Sequence, residues 1–237
     1  DEAMQKTVES IARSGVLSPG IVRPRPEGGY EIIAGHRRKR GSELAGKSTM
    51  PVLIRTLDDD EATIIMVDSN LQREKILPSE KAFAYKMKLE ALKHQGQRRD
   101  LTLERGVPKL PARERIALEA GESCGLAITR YIALTKLIPP LLVLVDEDKL
   151  SFSTAADYIS ALTAQEQTDL VSVMDKLNVI PVKGQLVKIK QHSKEGTLSV
   201  AVIEALLSAE HPAAVQVVLR ACLISSDEDG NEGESKN

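Results

Sequence analysis

The sequence predicts an α+β protein, in which a small α/β domain is followed by an all-helical domain that contains a helix-turn-helix. Before residue 78, helical periodicity alternates with short apolar runs bounded by Gly and Pro, as in a mixed domain. After Pro78, every apolar pattern has helical spacing. Aromatic residues make up 3% of the chain and Trp is absent, so we expect aliphatic cores.

The predicted domain boundaries follow these shifts in pattern. We expect the α/β domain at residues 1–77, the helix-turn-helix domain at 78–180 and a helical C-terminal segment at 181–224. Residues 225–237 are acidic and contain no apolar side chain, a composition that predicts disorder.

The first domain begins with "MQKTVESIARSG", which predicts a helix with Val8, Ile11 and Ala12 on one face and its end at Gly15. "GIVRPRPEGGYEIIAG" predicts two short strands around a Gly-Gly turn. "HRRKRGSELAG" predicts a helix ending at Gly46, and "MPVLIRTL" a further buried strand. "DDDEATIIMVDSNLQRE" predicts a helix, because acidic residues favour a helix start.

The second domain opens with "SEKAFAYKMKLEALKHQG", a helix with a Ser cap and with Phe83, Met87 and Ala91 at four-residue spacing. After a stretch rich in Gly, Pro and Arg, "RERIALEAGES" predicts a short helix and a glycine turn. "LAITRYIALTKLIPP" predicts a second helix, ended by two prolines. Helix, glycine turn and helix form the outline of a helix-turn-helix.

Composition favours a cytoplasmic protein. Cys124 and Cys222 lie far apart and outside metal-ligand spacing, which is typical of a reducing compartment. There is no apolar run of about 18 residues and no signal peptide pattern, so we expect no membrane partner. The formal net charge of −2 does not indicate a particular class of partner. Candidate partners are therefore inferred from local clusters of charged residues.

The stretch "YEIIAGHRRKR", residues 30–40, places a basic cluster at the start of a predicted helix. Free backbone N–H groups and the helix dipole attract an anion there, and Arg37, Arg38 and Arg40 can grip phosphate oxygens. The alternative is a solvated basic surface or a nonspecific DNA contact. No GxxxxGK[ST] motif is present, so a P-loop is excluded.

A second polar cluster, "DSNLQRE", spans residues 68–74. Asp68 and Asn70 offer oxygens that suit Mg²⁺, and Arg73 can reach a phosphate. Alone, the cluster indicates an ordinary helix end with a solvated charge pair.

Together the two clusters resemble the ParB family of DNA-segregation proteins, with its Spo0J and nucleoid-occlusion relatives. In that family a GERRxR motif follows a strand, and an ENLQR motif lies some thirty residues later. This chain has "GHRRKR" at 35–40 and "SNLQR" at 69–73. The resemblance extends from about Glu9 to Leu170.

The resemblance implies a dimeric DNA clamp that CTP switches, in a bacterial cytoplasm on a nucleoid or plasmid. CTP and Mg²⁺ are the implied cofactors; a palindromic partition site on double-stranded DNA, a ParA-type ATPase and a second copy are the implied partners. Asn70 is the implied metal ligand. The implied nucleotide-binding residues are Val16, Leu17, Ser18, Gly35, His36, Arg37, Arg38, Arg40, Ser69, Asn70 and Arg73.

Two positions depart from the family pattern. His36 replaces the glutamate of GERR, and Ser69 replaces the glutamate that precedes the Asn of ENLQR. A serine hydroxyl is a weak substitute for a carboxylate at a cation. The hypothesis from the sequence is therefore that nucleotide binding survives, while CTP hydrolysis is slow or absent.

The stretch 93–115 carries seven Lys or Arg residues against three acidic ones, the expected footprint of a DNA phosphate contact. The recognition helix is predicted to begin near Ser123 or Cys124 and to enter the major groove by its N-terminus. The candidate DNA contacts are Arg113, Arg115, Ser123, Gly125, Leu126, Thr129 and Arg130.

Two other functions remain open at this point. One is a nucleotide-independent helix-turn-helix regulator, which the substitutions at Ser69 and His36 favour. The other is a ParB-like nuclease. No cluster of carboxylates at metal spacing stands out for it beyond 58–60, which is better interpreted as a helix start.

Overall fold

The computed structural model describes residues 2–73, 75–100 and 110–209. The chain divides into two compact units, with the division between Thr135 and Lys136. That division falls inside the stretch 78–180 that was predicted as one domain. The predicted tail at 225–237, and the segment 181–224 beyond residue 209, lie outside the described residues.

The first unit confirms the predicted α+β class. Its elements are α1 (Glu2–Ser14), β1 (Gly20–Pro24), β2 (Tyr30–Ala34), α2 (His36–Leu44), β3 (Val52–Ile54), α3 (Asp59–Leu71), α4 (Pro78–Asp100), α5 (Ala112–Ala120) and α6 (Gly125–Leu134). The helix-turn-helix outline is present in α5 and α6.

The small sheet has the strand order β2-β1-β3, with β1 antiparallel to β2 and parallel to β3. The prediction of a buried third strand was wrong. Val52, Leu53 and Ile54 are all exposed, Ile54 at 56%. β3 is exposed because it lies at the edge of the sheet and pairs with β1 on one side only.

Two apolar helix faces noted in the sequence are only partly buried. On α1, Ile11 is buried but Ala12 is exposed. On α4, Phe83 and Met87 are exposed, although Ala91 is buried. Four-residue spacing identified a continuous stripe on α4, but the stripe that packs into the core is a neighbouring one.

The helical core of the first unit lies between α4, α5 and α6. Its buried members are Tyr85, Leu89, Leu92, Ile116, Ala117 and Ile128. The ring of Tyr85 meets that of Tyr131 edge-on, with centroids 5.3 Å apart. Pro78, and not the predicted cap Ser79, begins α4, because a proline lacks the N–H that would be unpaired there.

The second unit is entirely helical among its described residues. It contains α7 (Pro139–Asp146), α8 (Phe152–Asp157), a 3₁₀ turn (Ile159–Ala161), α9 (Ala164–Leu177), α10 (Lys183–Lys194) and α11 (Val200–Ser208). The prolines at 139 and 140 were predicted to end a helix, but they begin α7. Proline is favoured in the first turn for the same reason as at Pro78.

Buried glutamines stabilise the turns of this second unit. Gln167 donates to the carbonyls of Lys136 and Leu162 and accepts the N–H of Ile138. Each polar atom of this buried side chain is therefore paired, as buried polar groups require. No helix among the described residues is long and apolar enough to cross a membrane.

Candidate nucleotide and nucleic-acid sites

Helix α2 begins at a glycine that has a left-handed backbone. Gly35 is the N-cap of α2 with φ of 111°, and no side chain caps the helix. The first N–H groups of α2 therefore lack an intrahelical partner and carry the positive end of the helix dipole. A Cβ at Gly35 would lie 3.0 Å from Gly20 Cα, so the close approach of two backbone segments also favours glycine here.

The two motifs meet at one cavity of about 210 Å³, called here the motif cavity. One wall is the end of β2 and the start of α2, and the other is the last turns of α3. The lining residues are Ile33, Ala34, Gly35, His36, Arg37, Arg38, Met66, Ser69, Asn70 and Arg73. Both predicted clusters thus lie on one concave surface that contains three arginines.

Helical spacing explains which residues of α3 reach the cavity. Met66 and Asn70 are four residues apart and so share a face of α3, while Arg73 lines the cavity from just beyond the end of that helix. Asp68, which is rotated away from that face, pairs with Lys88 of α4. Met66 was missed from the sequence, although its spacing from Asn70 could have indicated it.

Two of the three cavity arginines already have partners. Arg38 Nη1 donates to the carbonyls of Ser18 at 2.6 Å and Pro19 at 2.8 Å. Arg73 Nη2 donates to Asn70 Oδ1 at 2.7 Å. Arg37 is exposed and, within the described parts of the chain, makes no hydrogen bond or ion pair. Arg37 is therefore the side chain most available to an anion.

Some predicted nucleotide residues do not line this cavity. Val16, Leu17 and Ser18 form a loop before β1, which reaches the cavity only through Arg38. Arg40 Nη1 lies 3.3 Å from Glu43 Oε2, and Arg40 is not among the lining residues. The cavity therefore unites the predicted nucleotide residues of the two motifs, with the exception of Arg40, and leaves the three loop residues outside.

The lining offers neutral oxygens to a cation. The side-chain oxygens on α3 are those of Ser69 and Asn70, and the latter accepts from Arg73. No carboxylate lines the motif cavity. Among residues 2–73, 75–100 and 110–209, no group of three or more His, Cys, Asp or Glu could hold a metal ion.

The turn between α5 and α6 runs from the C-terminal cap of α5 to the N-cap of α6. Gly121 ends α5 with φ of 70°, and the N–H of Glu122 returns to the carbonyl of Ala117. Cys124 is the N-cap of α6, close to the predicted start. The N–H groups of Ala127 and Leu126 hold the pKa of the exposed Cys124 thiol below its usual value.

Helix α6 packs closely on α5 because residue 125 has no side chain. The buried Gly125 donates its N–H to Glu114 Oε2 at 3.0 Å, and a Cβ there would lie 2.6 Å from Glu114 Oε1. Beside this contact is a groove of about 570 Å³. It is lined by Leu89, Lys93, Pro111, Ala112, Arg113, Glu114, Gly125, Leu126 and Thr129.

Most predicted DNA contacts are solvent-accessible in this part of the unit. The exposed ones are Arg113, Arg115, Ser123, Leu126 and Thr129. Arg130 is half-buried, and Gly125 is buried as described. Of the predicted basic stripe, 101–109 and the side chains of 96–100 lie outside the described residues. Lys93, on α4, faces the same groove as Arg113.

This chain is similar to known chromosome-partitioning proteins and to a sporulation protein. The model of the ParB N-terminal domain matches residues 1–71. A probable chromosome 1-partitioning protein ParB of Deinococcus radiodurans is 35% identical over 176 residues, which are 74% of this chain and 53% of that protein. The stage 0 sporulation protein J of Bacillus subtilis is 30% identical over 194 residues, 81% of this chain and 62% of that protein.

Two solved structures of C-terminally truncated ParB from Caulobacter crescentus are also similar. The complex with the centromeric parS site has 25% identity and a TM-score of 0.48, and the match covers 87% of both chains. The complex with CTP-γ-S has 29% identity and a TM-score of 0.30, and the match covers 68% of this chain and 80% of that one. The chain spans about half the length of the first of the curated relatives.

Proposed function

From its membership of the ParB family, which rests on the ParB N-terminal domain at residues 1–71, we propose that this chain is a DNA-binding partition protein switched by a nucleotide. The proposed nucleotide is CTP, and its proposed site is the motif cavity. The proposed DNA-binding element is α5–α6. Partition of a chromosome is proposed because several relatives are named chromosome-partitioning proteins, and partition of a plasmid remains its variant from the resemblance.

The observation that supports a nucleotide site is the meeting of two separate motifs around one cavity. Residues 35–38 and 69–73 are distant in sequence, yet they contribute unpaired helix N–H groups and three arginines to one surface. This combination attracts polyanionic oxygens. A solvated basic patch needs no such convergence.

The size of the cavity suggests which part of a nucleotide it takes. At about 210 Å³ it is smaller than the roughly 300–1,000 Å³ of typical small-molecule sites. We therefore assign the phosphates to the cavity and the nucleoside to the adjoining surface. The loop at Val16, Leu17 and Ser18 remains the proposed nucleoside contact.

Mg²⁺ fits the protein side of this site poorly. Hard cations favour carboxylate oxygens, and the motif cavity offers the amide oxygen of Asn70 and the hydroxyl of Ser69. Any Mg²⁺ in the proposal is therefore held by the phosphates, with Asn70 as the protein ligand. The same absence of a carboxylate supports slow or absent hydrolysis.

The proposed DNA site is the exposed face of α5 and α6 beside Lys93. Arg113 and Arg115 supply phosphate contacts, and the start of α6 enters the major groove. A palindromic site is the natural partner of a symmetric dimer, so the proposal includes a homodimer. A ParA-type ATPase completes the proposed partners.

Calorimetric titration with CTP, ATP, GTP and UTP, with and without Mg²⁺, tests the nucleotide site. We expect selective binding of CTP that is lost in Arg37→Ala. Arg37 is exposed and available, so its removal takes a charge from the phosphate site without removing a structural contact.

Arg40→Ala is the matched control for that titration. Arg40 is on the same helix but pairs with Glu43, so we expect little change in affinity. Equal losses in both variants would show that the whole basic cluster, and not the cavity, attracts the nucleotide. No binding of any nucleotide, with DNA present, would remove the switch from the proposal.

A nucleotide-independent DNA-binding regulator is the second candidate function. The contact between Arg38 and the carbonyls of Ser18 and Pro19 favours it, because that guanidinium already has protein partners. The same titration separates the two functions. A regulator of this kind binds DNA with an affinity that no nucleoside triphosphate alters.

A further inference from the structure

Lys88 is a charged side chain buried in the middle of α4, with 2% of its surface exposed. Its Nζ lies 2.5 Å from Asp68 Oδ1 on α3 and 2.7 Å from Glu119 Oε2 on α5. One ammonium group therefore holds carboxylates from two other helices. We call these three residues the Lys88 bridge.

Both ends of the Lys88 bridge adjoin a proposed site. Asp68 immediately precedes Ser69 and Asn70, which line the motif cavity. At the other end, Glu119 Oε1 lies 3.6 Å from Nε of Arg115, a proposed DNA phosphate contact. The bridge thus runs from the helix of the nucleotide cavity to a side chain of the DNA face.

The lysine and its two carboxylate partners differ in their exposure to water. Asp68 and Glu119 are 43% and 46% exposed, so water can solvate either carboxylate if it leaves the bridge. The Lys88 side chain is only 3% exposed, so it depends on these two carboxylates for most of its stabilisation, and a buried ammonium without partners is strongly disfavoured. Lys88 therefore opposes any movement that removes α3 or α5 from α4.

A second contact fixes α4 to the helix-turn-helix but does not include α3. Glu122, in the turn after α5, accepts from Lys81 at 3.2 Å and from the Tyr85 hydroxyl at 3.1 Å. Helices α4 and α5 are therefore held together at two levels. The Lys88 bridge adds an ionic link from the cavity end of α3 to this assembly, beside Leu71 of α3, which packs against the same helical core.

We propose that Lys88 is a positioning residue that couples occupancy of the motif cavity to the DNA affinity of α5 and α6; the inference rests on the proposed function. An anion at Asn70 and Arg73 acts on the end of α3 and so on Asp68. A DNA phosphate at Arg115 competes with Glu119 for that guanidinium. Both events change the partners that Lys88 holds.

A residue that lies between two sites does not for that reason couple them. The experiment must therefore measure how one ligand changes the affinity for the other. CTP is titrated into the protein with and without a duplex that the protein has selected from a random-sequence pool. The ratio of the two affinities is the coupling factor, which is the same in either direction. We expect Lys88→Met, which keeps a long apolar side chain, to bring the factor to within about twofold of one.

Lys86→Met is the matched control, since Lys86 is an exposed lysine on the same helix. Its coupling factor should equal that of the unaltered protein. An unchanged factor in Lys88→Met overturns the proposal. A factor lowered equally in both variants also overturns it, because the effect then belongs to the charge of α4.

A double-mutant cycle tests the bridge without any nucleotide. Asp68→Asn changes a residue outside the proposed DNA face. We nevertheless expect this substitution to alter DNA affinity by about threefold or more. In a Lys88→Met background, the same substitution should leave DNA affinity unchanged. If the effect is absent, or is equal in both backgrounds, the bridge is not the link.

The cycle also separates the two proposals. A protein that binds no nucleotide fails the proposed switch, while the Asp68 and Lys88 cycle still decides whether α3 influences DNA binding. Circular dichroism and thermal unfolding of each variant establish that the protein remains folded. If Lys88→Met is unfolded, Glu119→Gln takes its place in the cycle, with the same expected loss of the Asp68→Asn effect.

Discussion

At Gly35 a single backbone torsion allows the end of β2, the start of α2 and the segment at Gly20 to meet. Its φ of 111° is one that L side chains rarely adopt. The contact with Gly20 Cα adds a steric demand to the torsional one. This residue therefore determines both the position of the free N–H groups of α2 and the closeness of the cavity wall.

We predict that Gly35→Ala destabilises the protein more than Gly46→Ala. Gly46 also has a left-handed φ, of 70°, but a Cβ there meets nothing within 4 Å. Gly46→Ala should therefore cost the torsional penalty alone, about 1–2 kcal/mol. Urea unfolding of both variants measures the difference. Equal free energies of unfolding would mean that the Gly20 segment moves away without cost.

Arg38 acts on the protein itself as well as on any ligand. Because its guanidinium holds the carbonyls of Ser18 and Pro19, we predict that Arg38→Ala speeds amide hydrogen exchange in the segment 15–20. Arg37→Ala should leave exchange there unchanged, since Arg37 makes no hydrogen bond or ion pair with that loop among the described residues. Exchange measured by mass spectrometry checks this in the nucleotide-free protein. Unaltered exchange in both variants would show that the loop is held by other contacts.

At the scale of elements, α9 depends on a capping box at its start. The Thr163 side chain accepts the N–H of Glu166, and Glu166 in turn accepts the N–H of Thr163 at 2.8 Å. Ser193 on α10 also donates to Glu166, at 3.0 Å. One carboxylate thus satisfies a helix terminus and joins two helices.

These contacts predict a pH dependence of the second unit. Burial acts to raise the pKa of Glu166, but the N–H and hydroxyl of Thr163 and the hydroxyl of Ser193 outweigh it, and the pKa is lower than usual. A lowered pKa stabilises the folded state above the ordinary value of 4.5, and this stabilisation is lost as pH falls below it.

Urea unfolding between neutral and acid pH measures that loss. Glu166→Gln keeps an acceptor for the capping box but cannot titrate, so its unfolding free energy should fall less on acidification. Glu147→Gln, at an exposed pair with Lys149, is the control and should behave like the unaltered protein. Identical acid profiles for all three proteins would remove Glu166 as the cause.

At the scale of the whole molecule, DNA binding is expected to depend on salt through the face that contains Lys93 and Arg113. Removing one side chain that binds a phosphate should reduce the slope of log affinity against log salt by about 0.9 for duplex DNA. We predict this reduction for Lys93→Ala and for Arg113→Ala. Lys6→Ala, on α1, is the control because Lys6 pairs with Glu2.

Fluorescence anisotropy over a range of salt concentrations, with a duplex of arbitrary sequence, gives these slopes. A reduced slope in Lys6→Ala as well would indicate that DNA contacts the protein without preference for this face. Unchanged slopes in Lys93→Ala and Arg113→Ala would place the phosphate contacts elsewhere in the chain.

Much of the fold could be predicted from local patterns, because those patterns act within a few residues. Helical spacing identified α3 and α6, and Gly121 marked the turn between α5 and α6. The prolines at 139 and 140 were misjudged, since a proline is compatible with a helix start as well as a helix end. Local sequence does not choose between these two outcomes.

Burial was harder to predict than secondary structure. The apolar run Val52–Ile54 was predicted to be a buried strand, yet it forms an exposed edge. On α4, the apolar Phe83 and Met87 are exposed, while the charged Lys88 is buried. Which face of an element is covered depends on its neighbours, and these come from distant parts of the chain.

The sequence by itself determined that two motifs resembling those of the ParB family are present, with a helix-turn-helix after them, and it led to the prediction that their arginines bind phosphate. Only the tertiary structure decided that both motifs line one cavity, that Asp68 faces Lys88 instead of that cavity, and that Arg38 holds a loop. The physical reason is the distance along the chain over which each interaction acts. Helix dipoles, caps and periodicity act over one or two turns, whereas the partner of a side chain is set by how separate elements pack.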